Sequence, residues 1–179
     1  MALLRRDLFK FAAGVGISAL AGPALAVANP PVRSISLLNL HTGERLNAAY
    51  WEGGAYVPDA LTALNHVLRD FRTGDVHPMA PGLFDLLSDL GGALEVNETI
   101  QVISGYRSPA TNAQLRAHSD GVAAHSLHME GLAMDIRLPG VPLERLRDTA
   151  LALRRGGVGY YPDAASNFVH VDVGRVRRW

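Results

Sequence analysis

The chain has 179 residues, 48% of them hydrophobic, and its 17 Lys and Arg residues balance its 17 Asp and Glu residues. This length and composition suit one globular domain, and the balanced charge gives no support to nucleic-acid binding. The chain contains no cysteine. Its fold therefore has no disulfide framework, and a metal site would have to use nitrogen and oxygen ligands.

The first 28 residues are typical of a targeting segment. Arg5 and Arg6 precede an apolar run over residues 11–20, and Ala24-Leu25-Ala26 follows it. This pattern resembles a twin-arginine signal peptide with its cleavage site, while the apolar run is short for a membrane span of about 20 residues. We therefore expect export to the periplasm by the twin-arginine machinery and a mature domain over residues 29–179 without a stable membrane span. Retention of an uncleaved anchor is the alternative.

The next part of the chain predicts a hairpin and two helices. Strand-like runs over residues 34–40 and 44–51 flank a turn at His41-Thr42-Gly43. Leucines at helical spacing predict one helix that begins at Pro58 and carries Phe71 on its apolar face, and a second from Pro81 to Leu90 that ends at Gly91-Gly92. We interpret these elements as structural.

A strand, a turn and a helix are predicted around residues 99–116. Residues 99–103 are strand-like, and Ser108 with Pro109 is a typical helix start. The turn is suited to aiming Arg107, whose planar guanidinium can bind a substrate carboxylate through two hydrogen bonds. Position alone favours a local structural contact for this arginine.

Residues 126–135 carry the most informative pair of polar side chains. His128 and Asp135 are seven residues apart with Gly131 between them, which is not the spacing of two ligands on one helix. Gly131 permits a turn with positive φ that leads into a strand over residues 132–137, on which Asp135 faces away from Met134 and Ile136.

A third candidate metal ligand, His170, lies in the segment 167–173. Hydrophobic and polar residues alternate there, which predicts a half-buried strand with His170 and Asp172 on one face. The segment 156–161 precedes it, so the two predict an antiparallel hairpin after a helix over residues 143–154.

Two imidazoles and one carboxylate suit a catalytic zinc site with one position left open. Ordinary capping and turn hydrogen bonds explain the spacing equally well.

Four ordered motifs resemble the D-Ala-D-Ala carboxypeptidase superfamily of zinc peptidases, and within it the murein endopeptidase K branch. They are SGYRS at 104–108, SLHMEGLAMD at 126–135, GGVGYY at 156–161 and FVHVD at 168–172. The resemblance extends from the export signal to Trp179. It implies an α+β fold of the hedgehog and D-Ala-D-Ala peptidase type, in which helices pack around a small antiparallel sheet that carries the site. It also implies one Zn²⁺ bound by His128, Asp135 and His170.

The same resemblance implies a zinc metallopeptidase that hydrolyses peptide cross-links of peptidoglycan during wall growth or remodelling, with stem peptides as substrate. It implies that Arg107 binds a carboxylate of the peptide substrate. Ser126 and Tyr106 are further candidates for substrate binding, although a local turn bond is the alternative for Ser126. A carboxypeptidase that trims stem peptides and a non-catalytic, zinc-containing wall-binding module are the alternative functions.

The chain differs from several relatives in the residue that would accept a proton from the attacking water. They carry an acidic residue three positions before the last histidine ligand, whereas this chain has Asn167. Asp172 is then the candidate. Two residues after His170, it could either accept a proton from the attacking water or orient the imidazole.

Overall fold

The computed structural model describes residues 32–118 and 121–179. The expected signal peptide over residues 1–28 lies outside this part of the chain. The helices are α1 (Pro58–Val67), α2 (Pro81–Leu94), α3 (Pro109–His118) and α4 (Leu143–Leu153), with a 3-10 turn at Leu127–Glu130. The strands are β1 (Arg33–Asn39), β2 (Arg45–Glu52), β3 (Ala55–Tyr56), β4 (Ile100–Ser104), β5 (Ala133–Arg137), β6 (Gly157–Tyr161), β7 (Phe168–Asp172) and β8 (Arg177–Arg178).

All eight strands form one sheet in the order β3-β2-β1-β4-β5-β7-β6-β8. The α+β class is confirmed, but the sheet is larger than expected and mixed, because β1 pairs with β4, and β6 with β8, in parallel. The chain between β1 and β4 contains α1 and α2, which is the long kind of crossover that parallel pairing requires. Within the run β4-β5-β7-β6, each pair of neighbouring strands is antiparallel.

The hydrophobic core lies on one face of this sheet. Alternate residues of β5 and β7, namely Met134, Ile136, Val169 and Val171, are fully buried there. They belong to the same cluster as the buried leucines of α2 and the inward side of α4. Because neighbouring residues of a strand point to opposite faces, Asp135 and His170 project from the other face, as the alternation predicts.

Two helix ends differ from the sequence pattern. α1 ends at Val67, so Phe71 lies beyond the helix, where its ring stacks on that of His41 at a centroid distance of 3.8 Å. The prediction that α2 ends at Gly91-Gly92 is wrong, because the helix continues to Leu94. Burial of Leu94, which is 1% exposed, stabilises the additional turn and outweighs the low helix propensity of glycine. No helix in the described part of the chain is both long and apolar enough to cross a bilayer.

Candidate metal centre

Two of the three predicted ligands are direct neighbours in the sheet. Asp135 on β5 lies opposite His170 on β7 in the antiparallel register, so their side chains emerge side by side from the polar face. Ser104 on β4 lies opposite Asp135, and Gly159 on β6 lies opposite His170. One row across four strands therefore defines the floor of the site.

The third ligand comes from the 3-10 turn that precedes β5. Ser126 caps this turn, and its Oγ accepts a hydrogen bond from the backbone N of His128 at 3.4 Å. Gly131 ends the turn at a φ of +68°, and a Cβ at this position would lie 2.3 Å from the carbonyl oxygen of Pro78. Only glycine fits both the backbone angle and the space. The chain reverses direction at this turn, which places His128 over the row of residues that contains Asp135 and His170.

The three candidate ligand atoms converge at the spacing that a metal ion requires. His128 Nε2 lies 3.2 Å from Asp135 Oδ1 and 3.2 Å from His170 Nδ1, and His170 Nδ1 lies 2.9 Å from Asp135 Oδ1. Tetrahedral zinc with bonds of 2.0–2.1 Å separates its ligand atoms by about 3.3 Å. All three residues are buried, and they form a group that could hold a metal ion.

The remaining imidazole nitrogens are engaged elsewhere. His128 Nδ1 donates to the carbonyl oxygen of Gly105 at 2.8 Å, and His170 Nε2 donates to Asp172 Oδ2 at 3.2 Å. In the neutral imidazoles the protons then lie on these outer nitrogens, and the inner nitrogens present lone pairs. With Asp135 Oδ1, three electron pairs point at one small volume, which is the donor set that a divalent cation needs.

Both carboxylates of the centre are held in the ionised state. Burial alone would raise the pKa of Asp135, but in the metal-free site the positive charges and hydrogen bonds of His128 and His170, when these rings are protonated, outweigh it and hold this pKa well below its usual range. Burial would likewise raise the pKa of Asp172, and hydrogen bonds, first from His170 and then from backbone N–H groups and Arg177, lower it instead. Charged oxygens are therefore available at neutral pH.

Asp172 is fully buried, and both of its oxygens are occupied. Oδ1 accepts from the backbone N of Gly157 at 2.9 Å and of Gly174 at 2.8 Å. Oδ2 accepts from His170 and forms an ion pair with Arg177 Nη2 at 2.8 Å. A carboxylate has about four lone-pair positions, so these contacts leave little capacity for a further proton.

Arg107 lies on the rim of the same cleft. Its Nη2 lies 3.6 Å from Asp135 Oδ2 and donates to Ser104 Oγ at 3.4 Å. Its Nε is buried and has no hydrogen-bond partner within the described structure. Burial lowers the pKa of Arg107, which the charge of Asp135 partly offsets. A desolvated cation is costly without a full counter-charge, so the position of Arg107 in the cleft lining suits an anionic ligand.

The turn that presents Arg107 is fixed from two directions. The backbone N of Arg107 donates to the carbonyl oxygen of His128 at 3.1 Å, which ties the arginine directly to a candidate metal ligand. The backbone N of Ser108 donates to Asp70 Oδ2 at 2.8 Å, and Asp70 is only 1% exposed. The strand-turn-helix corner therefore holds the arginine in place before any ligand arrives.

The cleft has a volume of about 450 Å³, and it contains the three candidate ligands together with Arg107 and Ser126. Tyr106 is not among the described residues that line it, because its ring stacks on His77 at a centroid distance of 4.7 Å. Tyr161 lines the cleft, whereas the hydroxyl of Tyr160 donates to Glu144 Oε1 at 2.7 Å. The structure thus brings together five of the seven predicted site residues in the cleft. Asp172 lies buried against His170 and Tyr106 lies outside the cleft.

Two residues in the wall of the cleft, Arg177 and Trp179, received no role from the sequence. The only signal for them in the sequence is the pair of glycines at 157 and 159, since a glycine inside a strand often marks the close approach of another group.

Asn167, which replaces the acidic residue of several relatives, adopts a φ of +48° immediately before β7. Asparagine tolerates this left-handed conformation better than most residues, so the geometry of the turn explains why asparagine is found at this position.

Comparisons with known proteins agree with this geometry. Residues 27–179 match the family Peptidase_M15_2, described as "Peptidoglycan L,D-endopeptidase MepK". The protein of that name from Escherichia coli is 46% identical over 166 residues, which cover 92% of this chain and 90% of the relative. The "Probable peptidoglycan L,D-endopeptidase MepK" of Haemophilus influenzae is 45% identical over 167 residues, covering 92% of this chain and 89% of the relative.

Proposed function

Because the chain belongs to the MepK family of peptidoglycan L,D-endopeptidases, within the M15 metallopeptidases, we propose that it is a zinc-dependent murein endopeptidase that opens peptide cross-links of peptidoglycan. The observation that carries this proposal is the convergence of His128 Nε2, Asp135 Oδ1 and His170 Nδ1 within 4.8 Å of one another. They lie in a cleft that also presents Arg107.

Zinc is the proposed metal because two imidazoles and one carboxylate are a typical zinc set and no soft thiolate ligand is present. When bound, zinc polarises the scissile carbonyl and activates a water for attack on it. His128 and His170 contribute no net charge as neutral ligands, and Asp135 contributes one negative charge. The bound cation therefore keeps about one net positive charge for the reaction.

The proposed task of Arg107 is to bind a carboxylate of the stem peptide. Its charge is desolvated and its side chain lines the cleft, so a planar carboxylate can gain two charge-assisted hydrogen bonds from the guanidinium. Ser126 also lines the cleft. It is 8% exposed, and its Oγ already accepts a hydrogen bond within the turn. We assign Ser126 chiefly to the shape of the turn.

For Asp172 we propose positioning of His170 rather than proton transfer. Its oxygens accept from backbone N–H groups, from His170 and from Arg177. A carboxylate behind a metal-binding imidazole fixes the tautomer and the orientation of the ring. Proton transfer would require Asp172 to give up one of these contacts.

The compartment of this substrate agrees with the export signal that the sequence predicts. We propose that the twin-arginine pair Arg5-Arg6 directs the chain to the periplasm, where peptidoglycan lies. Replacement of both arginines by lysine should leave a tagged protein in the cytoplasm, and fractionation of cells with and without the twin-arginine machinery measures it. Export of the double variant at the normal rate would contradict this route.

Digestion of purified muropeptides, with and without a chelator, tests the activity. We expect zinc-loaded protein to convert L,D-cross-linked dimers to monomers and the chelated protein to leave them intact. Loss of terminal residues from monomers, with dimers unchanged, would instead identify a carboxypeptidase. Binding of muropeptides without any turnover after full zinc loading would identify a wall-binding module.

A further inference from the structure

We propose that the segment Arg177–Trp179 is a positioning element for the metal centre, in which Arg177 fixes His170 through Asp172 and Trp179 fixes the same imidazole through its ring. This inference rests on the metal site of the proposed function. Neither residue is a metal ligand. Both belong to or follow β8, the edge strand that pairs with β6.

Arg177 reaches the imidazole through one intervening carboxylate. Its Nη2 lies 2.8 Å from Asp172 Oδ2, and its Nη1 donates to Asp172 Oδ1 at 3.2 Å. Asp172 Oδ2 in turn accepts a hydrogen bond from His170 Nε2 at 3.2 Å. Because Asp172 is 0% exposed, a charge there needs a paired cation. Arg177 supplies that cation through a two-point contact that fixes both carboxylate oxygens.

Trp179 contacts the same imidazole through its indole ring. The indole and His170 ring centroids are 5.1 Å apart at an interplanar angle of 51°. The indole is itself fixed, because its Nε1 donates to Tyr161 Oη at 2.7 Å and the backbone N of Trp179 donates to Val158 O at 3.3 Å. The Arg177 guanidinium lies 4.8 Å from the indole centroid, so the two arms of the element also contact each other.

The sequence of β6 leaves room for this element. Gly159 lies opposite His170, and a Cβ on it would lie 2.7 Å from an indole atom of Trp179. A Cβ on Gly157 would lie 2.4 Å from Asp172 Oδ2 and 2.5 Å from Arg177 Nη1. Neither glycine has a positive φ, so the side chains packed against them, and not the backbone angle, require glycine here.

A purely structural edge strand would need only backbone pairing, and it would tolerate changes of these side chains. We therefore compare Arg177→Gln and Trp179→Ala with the matched control Arg178→Gln, a change on the same short strand. Zinc affinity is measured by competition with a chromophoric chelator. The Co²⁺ absorption spectrum reports the ligand geometry, and the melting temperature of the metal-free protein reports the fold.

We expect Arg177→Gln to weaken zinc binding about 10- to 100-fold, the usual effect of losing an outer hydrogen-bond partner of a ligand, with an altered Co²⁺ spectrum. Trp179→Ala should weaken binding less, and Trp179→Phe should restore it. Arg178→Gln should bind zinc like the wild type. Zinc affinity within twofold of the wild type in both Arg177→Gln and Trp179→Ala would overturn the inference.

A double variant separates this route from a general loss of stability. If Arg177 acts through Asp172, Arg177→Gln should have little further effect on zinc affinity in an Asp172→Asn background. Full additivity of the two changes would contradict that route. If Arg177→Gln does not fold, Trp179→Ala with Trp179→Phe rescue carries the test. Failure of the wild type to bind zinc would instead overturn the proposed function.

Discussion

His128 Nε2 and His170 Nδ1 lie 3.2 Å apart. When both rings are neutral, neither of these two nitrogens carries a proton, and the contact is then not a hydrogen bond. Each ring already donates from its other nitrogen, to Gly105 O and to Asp172 Oδ2. Two lone pairs opposite the Asp135 carboxylate repel one another in a buried site. A cation between them removes this repulsion, so metal binding and stability should be coupled.

We expect zinc to raise the melting temperature. At free zinc about one hundred times its Kd, linkage adds about 2.7 kcal/mol, which corresponds to roughly 5–10 °C for a chain of this size. His128→Ala should lose both the zinc-dependent shift and muropeptide hydrolysis, whereas the exposed control His66→Ala should keep both. Scanning calorimetry with and without a chelator measures the shift. An equal shift in the two variants would argue against the assigned ligands.

Arg107→Lys should raise KM for muropeptides about 10- to 100-fold with a smaller effect on kcat. The reason is that lysine keeps the charge but cannot make the two-point contact, and a hydrogen bond to a charged group contributes about 1.5–3 kcal/mol. The matched control is Arg116→Lys on the exposed side of α3. A fall in kcat with unchanged KM would show that Arg107 acts on the reaction step and not on substrate capture.

Asp172→Asn separates the two roles that the sequence leaves open. If Asp172 positions His170, zinc affinity should fall about 10- to 100-fold, because an amide cannot accept from His170, Arg177 and two backbone N–H groups together. Chelator competition measures this, with the exposed Asp148→Asn as control. Unchanged zinc affinity together with a large loss of kcat would identify Asp172 as the proton acceptor.

The parts of the site that follow from local pattern could be predicted. Alternation in 132–137 and 167–173 indicates which side chains share a face, and Gly131 indicates the turn between His128 and Asp135. The register that places Asp135 opposite His170 was not predictable, because a strand pattern fixes the face but not the partner residue. Family resemblance supplied the assignment of these residues as ligands.

The parts that depend on distant neighbours were not predicted. Parallel pairing of β1 with β4 depends on how α1 and α2 pack, and the continuation of α2 through two glycines depends on the burial of Leu94. Arg177 and Trp179 belong to the site only because β8 lies beside β6. Short edge strands of two residues carry almost no periodic signal.

Gly131→Ala should disturb the metal centre as well as the fold. A positive φ costs a residue with a Cβ about 1–2 kcal/mol, and here that Cβ would also meet the Pro78 carbonyl. Gly43→Ala is a matched control, since Gly43 has a similar φ of +74° and no atom within 4 Å of its Cβ position. Both variants should lose stability in urea, but only Gly131→Ala should weaken zinc binding. Equal zinc affinities would show that the turn does not set the position of His128.

Asp70→Asn should change stability in a manner that depends on pH. Burial would raise the pKa of Asp70, but hydrogen bonds, including those from the backbone N of Ser108 and of Arg72, outweigh it and lower the pKa from 3.8 to about 2. A carboxyl with a lowered folded pKa stabilises the fold fully above its unfolded pKa, and this contribution is lost as pH falls through the folded value. The shift corresponds to about 2 kcal/mol.

Urea unfolding between pH 2 and pH 7 checks this expectation. At pH 7 the free energy of unfolding of Asp70→Asn should lie below that of the wild type by about 2 kcal/mol, and the gap should narrow as pH approaches 2. The exposed control Asp163→Asn should show neither effect. Since Asp70 holds the backbone of Ser108, the variant should also raise KM through the adjacent Arg107. A constant gap across the pH range would mean that the Asp70 charge does not stabilise this corner.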